Sequence, residues 1–481
     1  MNRAWSLPNA ADAAHYPPQA CFEAGERNHH IANTAYPIAH QLTWKPYRVG
    51  TERYQSLVAQ AFEGLDPLLL YVHIPFCEVR CAYCEYTVVG QDELHGTEQY
   101  LRRLHRELEL YAGLLGSRRL AGFDIGGGTP SFLEGEQIEA LMEKVRQHFE
   151  LPPDVVVSIE TTPRIAALQP NRLARFQQAG IGRISMGIQV IQPDLLKVLE
   201  RDGNGVEHHF RAVEHIRAAG FTDFNVDLMY GFARQSLESW RATLEHALRL
   251  APEAITLYRM RYKLTRISEQ ASQVALEGVR AQAELAKKIL ADHGYLANPG
   301  KNTYSRIPGH PGTSDYITRR VVEGMPYLGL GLGAQSFTHT TVSYNDGAAG
   351  KNLKPYLRSV DAGELPLQDL YDLPREHMMA KMICVSFYFG EVDRPAFRAK
   401  FGQDIDQAYP EEVAFALERG FMSLTGDKLS MTELGARHFN GLVALFHAPS
   451  VKRYLLERDP EQAEDMHRHR KLALAVARRA S

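Results

Sequence analysis

Leu68-Leu-Leu-Tyr-Val-His-Ile-Pro-Phe-Cys-Glu-Val-Arg-Cys-Ala-Tyr-Cys-Glu-Tyr86 is an apolar run of strand length that ends in three cysteines. Cys77, Cys81 and Cys84 follow the spacing Cys-x3-Cys-x2-Cys. Three thiolates on one short loop can hold three corners of a 4Fe–4S cube, whereas the usual site closes it with four, so one iron is left open to an outside ligand. A zinc loop is the alternative, because a Cys-x2-Cys pair is a common zinc element. No second cysteine pair or His-x3-His partner follows to complete such a site.

Outward from that loop, the chain alternates short β-like runs with helical ones as far as about residue 263, the signature of consecutive βα units around a parallel sheet. Strands are predicted over 68–75, 122–125, 155–160, 183–188, 223–229 and 254–260. Amphipathic helices are predicted over 95–115, 135–149, 207–219 and 237–250, with stop signals at Gly180, Gly220 and Pro252. Six units predict a partial (β/α)6 barrel of TIM-like type. A long helical run over 269–293 leads to Tyr327-Leu-Gly-Leu-Gly-Leu-Gly-Ala-Gln-Ser336, which is expected to return and close the barrel mouth.

The expected domains are an irregular N-terminal extension over 1–66, the barrel over 67–345, a small helical and winged domain over 346–455, and a basic tail over 456–481. The winged portion rests on a hairpin predicted between Phe421 and Met431 and a helix start at Thr432. The tail contains His467-Arg-His-Arg-Lys471, Leu472-Ala-Leu-Ala-Val476 and Arg478-Arg479. It reads as a solvated basic helix, with peripheral contact to acidic lipid headgroups as the functional alternative.

At 481 residues, 44% apolar and 23% charged, the composition is that of a soluble globular protein. The net charge of −3 shows no overall nucleic-acid footprint. Cys21 and Cys384 stand apart from the cluster of three and read as packed thiols in a reducing compartment. No signal-like or spanning apolar stretch is present in the sequence, so a cytoplasmic monomer is expected.

In a barrel of parallel strands, functional side chains collect at the C-terminal strand ends. Gly126-Gly-Gly-Thr-Pro130 follows the second strand, where consecutive glycines allow close approach and offer N–H groups to an anion. Strand three ends in Ser158-Ile-Glu160, strand four in Ser185-Met-Gly-Ile-Gln189 and strand five in Asn225-Val-Asp227-Leu-Met-Tyr-Gly231. Carboxylates at the ends of apolar strands need partners, either structural salt bridges or a ligand's ammonium and hydroxyl groups. Arg259-Met-Arg261-Tyr-Lys263 ends strand six. Period-two spacing predicts all three cations on one face, where they would hold a substrate carboxylate or phenolate, or else form a solvated strand end.

Taken in order, Tyr71-Val-His-Ile-Pro-Phe-Cys, the GGGTP, the Ser-Ile-Glu, the Ser-Met-Gly-Ile-Gln and the Asp-Leu-Met-Tyr-Gly resemble the HemN-like branch of the radical S-adenosylmethionine (SAM) superfamily. That branch includes anaerobic coproporphyrinogen oxidase, the HemW haem chaperones and the class C radical methyltransferases. The resemblance covers about residues 70 to 450. It implies a 4Fe–4S cluster on Cys77, Cys81 and Cys84, with SAM chelating the open iron.

It further implies that Tyr71, Gly127, Glu160 and Gln335 surround a first SAM, and that Tyr83, Gly128, Thr129, Gln189, Arg201 and Asp227 surround a second. A low-potential donor such as flavodoxin or ferredoxin is implied as partner. The oxidase carries a further cysteine two residues after the third, and this chain has Tyr86 there. The oxidase also has an uncharged stretch where this chain has Arg259 to Lys263. The expected activity is therefore methylation of an sp2 carbon in a conjugated substrate (a quinone, tetrapyrrole or heteroaromatic ring), with porphyrinogen decarboxylation or a haem chaperone role as alternatives.

Overall fold

The computed structural model describes residues 5–28, 36–90, 96–262 and 265–458. They fall into two compact units, one built from the described residues within 48–297 and 301–372, the other from those within 5–47, 298–300 and 373–458.

In the first unit, six parallel strands follow one another in chain order: β1 Leu68–Ile74, β2 Leu120–Gly127, β3 Val157–Thr161, β4 Ile181–Gln189, β5 Asp223–Tyr230 and β6 Ala254–Arg259. β7 Thr303–Ser305 runs antiparallel beside β6. Beyond β1 lie β8 Tyr327–Leu330, β9 Gln335–Phe337, β10 Thr341–Asn345 and β11 Leu367–Asp372. The glycine-rich segment therefore extends the sheet, with β8 parallel to β1 and β9 and β10 folding back antiparallel, and it does not close the mouth. The barrel is partial, as its six units predicted.

Parallel strands covered on both faces by helices read as continuous apolar runs, and these strands do not. They alternate. Leu70, Val72, Ile74, Phe123, Ile125, Ile159, Ile184, Met186, Val226 and Leu228 point outward and share one core with the helices. Each such fully buried side chain contributes about 1.5–3 kcal/mol. Neighbouring positions, Tyr71, Asp124, Ser158, Glu160, Arg183, Ser185, Asn225, Asp227 and Thr256, face the other way and are brought side by side by the strand register. The inner face is thus a polar surface built on an apolar wall.

Connecting helices run over Thr97–Leu115, Gly135–His148, Val206–Ala218, Leu237–Arg249 and Leu276–Asp292. Three shorter ones, Pro163–Leu168, Pro170–Gln178 and Pro193–Val198, each begin on proline, whose fixed φ and missing N–H suit a first helical position. Within Thr97–Leu115, Glu107 is fully buried and accepts from Gly331 N–H at 2.8 Å, Tyr356 O–H at 2.7 Å and Asn345 Nδ2 at 2.6 Å. Tyr100 donates to the His73 carbonyl at 2.6 Å and accepts from Leu332 N–H at 3.0 Å. Together they latch the turn after β8 onto β1. Glu107→Ala should lower the free energy of unfolding by about 1–3 kcal/mol for each buried donor left unpaired, read from a denaturant titration against wild type.

The second unit contains an antiparallel sheet in the order β12-β14-β13, with β12 Glu391–Asp393, β13 Met422–Thr425 and β14 Lys428–Met431. Thr432 caps the helix that follows, as its position predicted. Two domain boundaries differ from expectation. Residues up to Asp372 stay with the first unit because β11 pairs with β10. Residues 5–47 join the second because Pro18–Arg27 packs on Phe439–Leu445, with Phe22 stacked on Phe421 at 4.8 Å. A Cβ at Gly25 would lie 2.5 Å from the Asn440 carbonyl oxygen, so only glycine permits that approach. Cys21 and Cys384 are buried and unbridged. The basic tail from 459 onward lies outside the described residues, among which no helix is long and apolar enough to cross a membrane.

Candidate active site at the strand ends

The cysteine loop leaves β1 through Pro75 and Phe76, the latter buried edge-on against Tyr100. It is fastened at many points. Ala82 N–H donates to the Leu199 carbonyl at 2.9 Å, and Arg266 N–H donates to the Ala82 carbonyl at 3.0 Å. Arg164 pairs with Glu78 at 3.3 Å and Arg261 with Glu85 at 2.9 Å, while Lys351 Nζ donates to the Glu85 carbonyl at 2.8 Å. A loop held this way keeps its thiols in place. All three cysteines are half-buried and unbridged. Burial pushes the Cys77 thiol up to about 12, opposed by the Thr129 hydroxyl that donates to its sulfur at 3.5 Å. Cys84 is raised by burial as well.

The glycine loop wraps this entry. Gly128 N–H donates to the Ile74 carbonyl and Thr129 N–H to that of Phe76, each at 2.8 Å, and Gly127 N–H points to Glu160 Oε2 at 3.3 Å. The N–H groups expected to meet an anion are therefore spent on the strand that carries the cysteines and on a carboxylate. Gly127 has φ +125, and a Cβ there would lie 2.9 Å from the His73 ring. A Cβ on Gly128 would lie 2.9 Å from Cys77 Sγ. Both positions require glycine for contact with β1 and its loop.

Beside them, Tyr71 donates to His73 Nδ1 at 3.1 Å, because His73 Nε2–H is committed to the Thr87 carbonyl at 2.7 Å. Burial lowers His73 to about 4, so the ring is neutral. Glu160 is solvent-accessible yet enclosed on most sides by protein. That enclosure, with Asp227 and Asp124 adding repulsion, raises its carboxyl to about 8. Asp124, which accepts from Ser314 at 2.7 Å, is raised by burial to about 6. Carboxylates crowded on an inner face favour a cationic ligand.

A second station lies on β4 and β5. Asp227 is oriented by Asn225 Nδ2 at 2.8 Å and Ser185 Oγ at 3.0 Å, and its carboxyl is raised by burial. Gln189 sits at φ +68 after a register shift in β4, and its Oε1 is buried with no hydrogen-bond partner among the described residues. Arg201 is buried, with Nη1 3.3 Å from Cys81 Sγ and Nη2 donating to the Gly187 carbonyl. Tyr83 packs edge-on against Phe232 and hydrogen-bonds Cys81.

Gln335 accepts from Tyr327 O–H and lies beside Tyr344. Tyr327 stands at 5.9 Å from Tyr316, and Tyr316 stacks on Tyr71 at 5.9 Å, so Gln335 joins the first station through aromatic rings. The arginines at the end of β6 do not share a face. In register, Asp227 pairs with Thr256, which puts Tyr258 on the inner side. Arg259 pairs with Tyr230, so it faces the helices, with Arg280 among its neighbours. The strand stops at Arg259, so alternation no longer governs Arg261, which turns to Glu85. Lys263 lies outside the described residues.

Sequence reasoning missed His73, Asp124, Arg183 and Tyr316. The first three were available from strict alternation along β1, β2 and β4. Tyr316 was not, because it comes from a short helix, Asp315–Thr318, lying against β2 where a Cβ on Gly122 would be 2.6 Å from its N.

Among the described residues no three His, Cys, Asp or Glu side chains are drawn together as a single metal ion requires. The fit to a 4Fe–4S cluster rests on the donor set: three thiols on one loop, with Thr129, Tyr83 and Arg201 ready to hydrogen-bond their sulfurs. The orphaned Gln189 Oε1 and the crowded carboxylates fit a polar, cationic cofactor on the inner face.

A partial parallel barrel with a three-cysteine loop at its first strand end defines a radical SAM protein, and residues 71–247 match the radical SAM superfamily. The oxygen-independent coproporphyrinogen III oxidase of Escherichia coli is 33% identical over 225 residues, 47% of this chain and 48% of that one. The chain thus spans about half the length of the oxidase relatives it matches. Heme chaperone HemW of Haemophilus influenzae is 27% identical over 390 residues, 79% of this chain and 98% of that one. The solved E. coli coproporphyrinogen III oxidase, HemN, superimposes with a TM-score of 0.71 at 24% identity, covering 86% of this chain and 96% of that one. The chain carries a radical SAM domain over residues 71–247 and is similar to HemN and HemW proteins.

Proposed function

We propose that the protein is a radical SAM C-methyltransferase that uses two SAM molecules to methylate an sp2 carbon of an uncharged, conjugated substrate. The observation that carries this reading is the makeup of the inner face. It offers two adjoining polar stations, around Glu160 and around Asp227, and it turns the cations expected for a substrate anion elsewhere, Arg259 to the helices and Arg261 to Glu85.

When bound, the cluster and the first SAM supply a 5′-deoxyadenosyl radical, given one electron from a low-potential donor such as flavodoxin or ferredoxin. The residues of the chain position the partners. Glu160, with Tyr71 and the backbone around Gly127, would accept hydrogen bonds from an ammonium group. Asp227, fixed by Asn225 and Ser185, would take ribose hydroxyls of the second SAM, and Gln189 Oε1 would accept one further donor. Tyr86 and Tyr258, 65% and 41% exposed, offer ring faces for a planar acceptor.

The end-to-end match to HemW chaperones supports a second reading, haem binding without substrate chemistry. One experiment separates the readings. Anaerobically reconstituted protein is given dithionite, SAM deuterated in its methyl group and candidate quinones, tetrapyrroles or heteroaromatics, and products are followed by mass spectrometry. Deuterium in the product is expected. Carbon dioxide release from a porphyrinogen without label, or stoichiometric haem binding without product, would overturn the methyltransferase assignment.

A further inference from the structure

The Arg201 guanidinium is buried with no ion pair to a carboxylate among the described residues. A buried cation needs a compensating charge or a full set of acceptors. Nη2 has the Gly187 carbonyl, Nη1 has Cys81 Sγ at 3.3 Å, and Nε is buried with no partner among the described residues. The backbone leaves Arg201 little freedom. Its N–H donates to the Leu196 carbonyl at 2.8 Å, its carbonyl accepts from Asn204 N–H at 2.9 Å, and the bond from Ala82 to the Leu199 carbonyl ties this segment to the cysteine loop itself. Beside the cation the fold places the Cys81 sulfur and Tyr83, with the Asp227 carboxylate near enough to feel its charge but not ion-paired with it.

We propose that Arg201 is a positioning and tuning residue for the cluster: its guanidinium stabilises negative charge at the Cys81 corner and so raises the cluster's reduction potential. This rests on the cluster assignment and is independent of whether methylation, decarboxylation or haem binding follows. The redox step is a one-electron reduction by a low-potential donor with no proton taken up, so the cluster and its three thiolates gain one unit of negative charge. A fixed cation and an N–H···S hydrogen bond at one thiolate favour the reduced state over the oxidised one. A midpoint measured without SAM separates this role from one in binding the second SAM.

The test compares wild type, Arg201→Gln and Arg201→Lys, each reconstituted anaerobically without SAM, by iron and sulfide content and by a redox titration followed by EPR. Arg201→Gln should take up a cluster whose reduction is disfavoured at least tenfold, a midpoint about 59 mV more negative for one electron. Arg201→Lys keeps the charge and should fall nearer wild type. Equal midpoints in all three would overturn the proposal. So would failure of both variants to load, since a charge contact survives in lysine. If Arg201→Gln alone fails to load, Arg201→Lys decides: a wild-type midpoint supports the proposal, and one as far from wild type as any neutral substitution predicts would end it. A wild-type protein that takes up no iron and sulfide would instead remove the cluster assignment.

Discussion

Replacing Cys81 with alanine should leave anaerobically reconstituted protein without the brown iron–sulfur absorption, with iron and sulfide at background and no deoxyadenosine formed from SAM under dithionite. Three thiolates are the fewest that can hold a cube with one corner open, and removing one leaves two unsupported irons. The loss should far exceed the roughly 10–100-fold in affinity that deleting an outer hydrogen-bond partner costs. That comparison can be made within this site. Thr129 donates to Cys77 Sγ at 3.5 Å, so Thr129→Val removes an outer partner and keeps every thiol. Graded loss in Thr129→Val beside complete loss in Cys81→Ala is the signature of a thiolate-held cluster. Cys81→Ala protein that still cleaved SAM would take the cluster out of the mechanism.

The framework around that loop was legible because it is written in two periods. Alternation along β1 to β6 sets apolar residues such as Val72, Ile125 and Val226 outward and Tyr71, Asp124 and Asn225 inward, and that pattern survives any rearrangement of loops. Local signals failed where proline could be read two ways. Pro163, Pro170 and Pro193 look like breaks between elements, yet each opens a short helix, and no helix is predicted from the sequence at any of the three.

Arg259 shows a different limit. Its spacing to Arg261 is right for one strand face, but which face, and whether the strand continues, depends on the pairing of Asp227 with Thr256. That is a long-range fact no window of residues contains. The same holds for Arg201, whose position beside Cys81 comes from the bond between Ala82 and Leu199 across 117 residues of chain.

Glu160→Gln should weaken SAM binding while making the ligand-free protein more stable at alkaline pH, two effects of opposite sign from one atom change. A charge-assisted hydrogen bond to an ammonium group contributes about 1.5–3 kcal/mol, so the dissociation constant for SAM should rise about 10–150-fold, measured by calorimetry on the reconstituted protein. Stability runs the other way. Enclosure, then Asp227 and Asp124, raise the folded-state carboxyl to about 8 from an ordinary value of 4.5, so between these limits the folded state binds more protons than the unfolded one. Stability through this group therefore falls as pH rises from about 4.5 to about 8 and stays low above it.

Glutamine cannot ionise, keeps the acceptor for Gly127 N–H, and removes the slope. The melting temperatures of wild type and Glu160→Gln in the ligand-free state should be close near pH 5 and diverge in favour of the variant by pH 8. SAM added to cluster-loaded wild type should reverse the order, because its cation supplies the charge that the crowded carboxylates lack. A variant no more stable than wild type at pH 8, or one that binds SAM as tightly, would show that Glu160 is a structural acceptor for the glycine loop and not the site's anchor for a cation.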